Sequence, residues 1–107
     1  MDLVFKALAD ATRRALLDQL YLEHGQSLSR LCEGHRMSRQ SISKHLGLLE
    51  QADLVAVQWQ GREKIYYLNP VPLGEISERW IDKFSEDKAA ALVRLKKTLE
   101  NNTGEYG

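Results

Sequence analysis

"MSRQSISKHLGLLEQADLV", Met37 to Val55, carries different chemistry on its two sides. Ile42, Leu46 and Leu49 recur at steps of four and three, so they form one stripe of a helix that packs inward. Arg39, Gln40, Ser43, Lys44 and Gly47 share the same spacing on the opposite side. A solvated helix face usually carries Glu–Lys pairs at four-residue steps. Here no acid stands between Met37 and Leu49. A face of cations, an amide and small hydroxyls, without a carboxylate, suits a negatively charged partner. In the major groove of DNA, Gln pairs bidentately with adenine, Arg or Lys with guanine, and Ser bonds bases or phosphates. Residues 39–44 lie within about a turn and a half of the helix start, the part that enters the groove in helix-turn-helix proteins.

Working outward, the neighbouring segments supply the scaffold for such a helix. Ser38 is a suitable N-cap, satisfying an orphan amide of the first turn. Before it, "LSRLCEG" reads as a short helix capped by Ser27, with Leu28, Leu31 and Cys32 inward and Gly34–Met37 as the turn. A second helix runs from Asp10 or Thr12 to about His24, with Ala15, Leu16, Leu20 and Tyr21 inward and Gly25 at its end. "DLVFKALA" makes a short first helix at 2–9. After Asp53 the pattern changes. "LVAVQWQ" and "KIYYL" are β-branched and aromatic runs, predicting a two-stranded hairpin with Gln60–Glu63 at its tip. Pro72 then opens a helix whose Leu73, Ile76, Trp80, Phe84, Leu92, Leu95 and Leu99 keep three- and four-residue steps. If unbroken at Ser85–Asp87, it is about 27 residues, roughly 40 Å long. The fold class is therefore mainly α with a small β-hairpin, a winged helix-turn-helix of order α-α-α-α-β-β-α with a long C-terminal dimerisation helix.

The chain has 107 residues, 43% hydrophobic and 28% charged, which fits one domain with one core. Residues 1–99 make that domain, with the helix-turn-helix at 28–51, the wing at 54–68, pairing helices at 1–9 and 72–99, and a disordered tail at 100–107. Fifteen bases balance fifteen acids, which argues against general polyanion coating. Locally, five bases face three acids over residues 35–69, whereas six face seven over 70–107. A single cysteine, Cys32, excludes an intramolecular disulfide and suits a reducing cytoplasm. No apolar run approaches the length of a membrane span, so no membrane partner is expected.

The residues expected at DNA are Arg36, Ser38, Arg39, Gln40, Ser41, Ser43, Lys44, His45, Arg62 and Lys64. Arg36 in the turn suits a phosphate. His45 lies on the flank between the two faces, where packing or a phosphate fits better than a base. Arg62 and Lys64, at the hairpin tip, reach toward the flanking minor groove or its phosphates. Trp59, Tyr66 and Tyr67 read as sheet and core packing, since single-strand readers surround their aromatics with more cations. The apolar stripe of the last helix exceeds what a small domain covers. Its Leu73, Ile76, Trp80, Phe84, Leu92 and Leu95, with Leu3, Val4 and Phe5, are expected at the interface of a homodimer.

"ALADATRRALL" (7–17), "SRQSISKHLGLLEQADLV" (38–55) and "GREKIYYL" (61–68) resemble the ArsR/SmtB-type bacterial winged-helix repressors across roughly residues 3–99. The pattern Ser38, Ser43, His45, Leu46 and Leu49 is the more specific for following "ALADxxR". The resemblance implies a homodimer built from the first and last helices, a palindromic double-stranded operator, and repression by occluding a promoter, often the protein's own. Metal-sensing members carry "C-V-C" on the third helix. Here those cysteine positions are Ser27 and Ser29, and the following aspartate is Arg30. No histidine follows His45, so a zinc site between last helices lacks its ligands. With one cysteine and the scattered His24, His35 and His45, no metal site and no cofactor are expected. The chain is similar instead to the non-metal-sensing branch, often encoded beside a helix-grip-type partner, as "WIDKF" and the last helix suggest. Asp53 stands where the family commonly has glycine, implying a modest stability cost.

Other functions compete with a repressor. An enzyme finds no support, because no phosphate loop, triad or carboxylate pair stands out. A metal- or redox-responsive repressor acting through Cys32, and a winged-helix protein-interaction module, are the alternatives. Any small-molecule or protein effector is unknown from the sequence.

Overall fold

In the computed structural model, residues 1–81 and 93–100 are described, and the chain divides into two compact units, Met1–Leu73 and Gly74–Gly107. The first unit begins with α1 (Asp2–Leu8), which buries Val4 and Ala7. Helix α2 (Ala11–Leu22) starts at Asp10, whose carboxylate accepts the Arg13 amide at 3.0 Å, and buries Leu16, Leu17 and Leu20. Tyr21, expected inward, is 69% exposed, because the core lies one residue back along the turn, at Leu17 and Leu20.

Gly25 follows α2 with φ +77°, and a Cβ there would lie 2.9 Å from the Tyr67 ring, so both backbone and space demand glycine. Gln26–Ser27 then forms a strand, β1, where the sequence predicts only the Ser27 cap. Gln26 is buried, and its side-chain amide donates to the carbonyls of Gln19 (2.7 Å) and Glu23 (2.8 Å). It thereby gives the Glu23 carbonyl a donor at the end of α2 and adds a second one to that of Gln19, which also accepts the Glu23 amide at 3.1 Å. Ser27 caps α3 (Leu28–Cys32) by accepting the Arg30 amide, and Leu31 is the fully buried anchor of that helix.

Helix α4 (Arg39–Gln51) is capped by Ser38, which accepts the Ser41 amide at 3.1 Å, and buries Ile42, Leu46 and Leu49. It ends in a Schellman motif. The Leu54 amide bonds the Leu49 carbonyl and the Asp53 amide bonds that of Glu50, both at 3.0 Å, with Asp53 at φ +59°. Leu49 and Leu54, both fully buried, supply the apolar contact that accompanies such an ending. Asp53 thus occupies the left-handed position that glycine takes at lower cost.

Strands β2 (Val55–Gln60) and β3 (Glu63–Leu68) pair antiparallel around a two-residue turn, in which Gly61 takes φ +63°. The sheet has three strands in the order β1-β3-β2, a correction to the expected two-stranded hairpin. The cause is Gln26 and Ser27, which pair with Tyr66 and Ile65 along the free edge of β3. Asn69 closes the base of the hairpin: its amide donates to Leu54 and its side chain to the Asp53 carbonyl, at 2.9 and 2.7 Å. Tyr66 is buried; burial first, and then the Glu50 carboxylate, raises its phenol above the usual pKa. The core of this unit is the meeting of α4 with α2 and α3, and of all three helices with the sheet.

The chain continues into α5 (Val71–Ile76), and Pro72 is its second residue rather than its first. At Ser77 the helix widens into a π-helical turn, Ser77–Ile81. Residues 93–100 are helical again. The expected single helix over 72–99 therefore changes its winding at Ser77, and its continuity across 82–92 lies outside the described residues, as do Phe84, Leu92 and most of the tail. Among the described residues no helix is long and apolar enough to cross a membrane.

Candidate nucleic-acid interface

The reader face follows from how α4 is held. Ile42, Leu46 and Leu49 are fully buried, and that fixes which side of the helix remains outside. Ser38, Arg39, Gln40, Ser43 and Lys44 all lie exposed on that side or at its start. Arg39 extends back across the turn and donates to the Ser29 hydroxyl at 2.9 Å, so α3 steadies the first cation of the row. Ser41 is half-buried and its hydroxyl accepts from that of Ser38, which makes it part of the cap rather than of the row. Among the described residues nothing lies within 4 Å of where a Cβ on Gly47 would stand, so no contact among them requires glycine there.

Across from the row stands the hairpin. Val55, Val57 and Trp59 alternate onto one sheet face with Lys64, Tyr66 and Leu68. Near the base of the hairpin this face is buried; at Trp59 it is 63% exposed. Trp59 was read from sequence as packing, and the structure corrects this: the strand extends beyond the helices that would cover it. The Lys64 ammonium sits 5.6 Å from the Trp59 ring centroid, a cation–π arrangement. Arg39 and Ser43 on one side, and Trp59, Arg62 and Lys64 on the other, line an open groove of about 560 Å³, with Glu63 its one acid. A second groove of about 440 Å³ runs along Leu28, Arg39, Gln40, Ser43 and Lys44. The period-two alternation placed Trp59 with Val57, but nothing in the sequence told where the helical layer stops.

Two expected site residues lie elsewhere. His45 turns toward α2, where its Nδ1 is 3.1 Å from the Arg13 guanidinium and 3.8 Å from the Asp10 carboxylate. The flank position places it behind the reader row, not in it. Arg36 is exposed in the turn but does not line either groove. Asp10 titrates below the ordinary carboxylate value: the Arg13 amide hydrogen bond is the main cause, and the Arg13 charge, joined by that of His45 once its ring is protonated, adds to it against some burial. Cys32 is half-buried, and the His35 ring bonds the Gln19 side chain at 2.7 Å. Among the described residues no three His, Cys, Asp or Glu side chains gather as metal ligands would.

Three helices, a tight turn and a wing whose tip shares a groove with the exposed helix define a winged helix-turn-helix DNA-binding protein. A helix-turn-helix domain family model matches residues 8–58. The chain is 38% identical over 87 residues to the uncharacterized HTH-type transcriptional regulator YuzN of Bacillus subtilis, covering 76% of this chain and 95% of that protein. It is 36% identical over 84 residues to the transcriptional repressor SdpR of the same organism, covering 78% and 91%. An ArsR-like transcriptional regulator from Rhodococcus sp. RHA1 superposes with a TM-score of 0.69 at 32% identity, over 94% of this chain and 90% of that one. The chain belongs to the ArsR family of helix-turn-helix transcriptional regulators, and it is not an enzyme.

Proposed function

We propose that the chain is a dimeric, sequence-specific repressor that binds a palindromic operator in its own promoter and works without a metal. The observation that carries this is the exposed, acid-free row Arg39, Gln40, Ser43 and Lys44 at the start of α4, beside a groove whose far wall adds Arg62 and Lys64. Gln40 and Lys44 stand one turn apart, the spacing at which two side chains reach neighbouring base pairs. Repression is the action that the name of SdpR states for that relative.

The absence of a metal role is supported by what the relevant side chains do. Ser27 and Ser29, at the positions where metal-sensing members carry cysteines, are engaged as the α3 cap and as the acceptor for Arg39. Pairing of two copies is supported by Leu3 and Phe5, which stay 57% and 44% exposed on α1. Val4, read from sequence as an interface residue, instead packs inward and serves the core of its own chain. In the second unit Trp80 and Leu95 are exposed as well, whereas Ile76 there, and Leu73 at the end of the first unit, are half-buried.

Gel-shift titration with duplex DNA from upstream of the gene tests the reading. Saturable binding is expected, and Gln40→Ala with Lys44→Ala should weaken it by about tenfold or more. Binding indifferent to both substitutions would remove α4 as the reader.

A further inference from the structure

We propose that Arg13 and His45 are positioning residues, a polar bridge through which α1 and α2 set the orientation of the reader helix for operator binding. The inference rests on the proposed function, because it concerns how α4 meets DNA.

Three helices converge on one guanidinium. Arg13 Nε donates to the Ala7 carbonyl at 2.8 Å and an Nη to that of Lys6 at 3.1 Å. Both carbonyls lie in the last turn of α1, where acceptors run short of helical donors; that of Lys6 also accepts the Ala9 amide at 3.3 Å. The remaining Nη lies 3.1 Å from His45 Nδ1. Arginine has only donors, so His45 accepts through the Nδ1 lone pair and carries its ring proton on Nε2. Asp10 completes the cluster, its carboxylate holding the Arg13 backbone amide at 3.0 Å. Arg13 is thus held at its backbone amide and at two guanidinium nitrogens before it reaches α4.

His45 directly follows Lys44 of the reader row and precedes Leu46 of the core. The apolar stripe holds α4 in place but is non-directional, so it leaves the roll of the helix less sharply defined than a directed hydrogen bond does. Along the adjacent edge, the seam between α1 and α4 opens into a groove of about 300 Å³ lined by Leu3, Lys6, Ala7, Arg13, Leu48 and Gln51. Packing between the two helices is therefore incomplete along that edge, and the bridge adds a directed link there. A small rotation of α4 moves Gln40 and Lys44 off their base edges while leaving general attraction to phosphate nearly unchanged, because salt-dependent backbone binding tolerates such displacement.

The experiment measures affinity for the upstream duplex and for a scrambled duplex of the same composition, in the full chain and in His45→Leu, Arg13→Met, their double variant and His45→Asn. Thermal melts are run in parallel. Each single variant should cut the ratio of specific to scrambled affinity by about tenfold, with scrambled binding changed little. The double variant should lose no more than either single one, since both break the same link. His45→Asn, which keeps an acceptor near the Nδ1 position, should restore most of the ratio, a rescue that general destabilisation would not produce. If Arg13→Met does not melt cooperatively, Arg13→Lys decides, because one ammonium cannot span two carbonyls and a ring. An unchanged ratio in folded His45→Leu, or additive losses in the double variant, would overturn the bridge. Failure of Gln40→Ala with Lys44→Ala to alter discrimination would instead overturn the reading of α4 itself, and the bridge with it.

Discussion

Asp10 does two jobs that its position in the sequence only half discloses. As a cap it satisfies the start of α2, and through space it faces the Arg13 and His45 side chains that link α2 to α4. Its carboxyl is held below the ordinary value, so its contribution to stability is present above the unfolded-state pKa and fades as pH falls through the folded one. Asp10→Asn keeps a capping side chain but loses the charge. Thermal melts from neutral pH down through the carboxylate range should show the unaltered chain melting higher near neutrality, with the gap closing in acid. A gap independent of pH would mean that the charge at position 10 contributes nothing. Asp10 was legible from sequence as one of two possible caps; its partner across 35 residues was not, since only the packing of α2 on α4 brings His45 to it.

At the scale of elements, α4 is the best-determined part of the chain. Its cap, its inward stripe and its outward row follow from spacing, and the family resemblance implied the left-handed ending at Asp53. Gly47 is the exception to helix propensity in it. A Cβ would enter open space, so Gly47→Ala should stabilise the fold by about 1 kcal/mol in urea titrations. If the later turn of α4 passes close to the DNA backbone, the same variant should bind the upstream duplex more weakly while melting higher. Equal or tighter binding would show that the glycine leaves room for nothing. The sheet was less legible. Gln26 and Ser27 carry no run of strand residues, and β1 exists because Gln26 is anchored to the end of α2 and pairs with an edge that β3 already offers. A two-residue strand is a product of its surroundings.

For the whole molecule, the question is what covers the apolar side chains that the chain leaves outside. Leu3 and Phe5 on α1 are exposed. Sedimentation or light scattering at micromolar concentration should give twice the chain mass of 12.2 kDa, and Leu3→Glu with Phe5→Glu should lower it toward one copy. The same substitutions should weaken binding to the upstream duplex more than to half of it, because a two-fold operator rewards only a paired protein. A chain that stays single in its unaltered form would remove the two-fold operator.

Taken by itself, the sequence determined the order of the first four helices and the hairpin, the caps at Ser27 and Ser38 with Asp10 as one of two choices for α2, the buried stripe of α4 and the cationic row opposite it. Those features depend on residues within a turn or two of one another, where periodicity and hydrogen-bonding chemistry act directly. Only the tertiary structure decided that Trp59 emerges beside the reader row, that Val4 turns inward, that β1 joins the sheet and that His45 meets Arg13. Each depends on where one layer ends against another, and neighbours in space but distant in the chain leave no spacing to read.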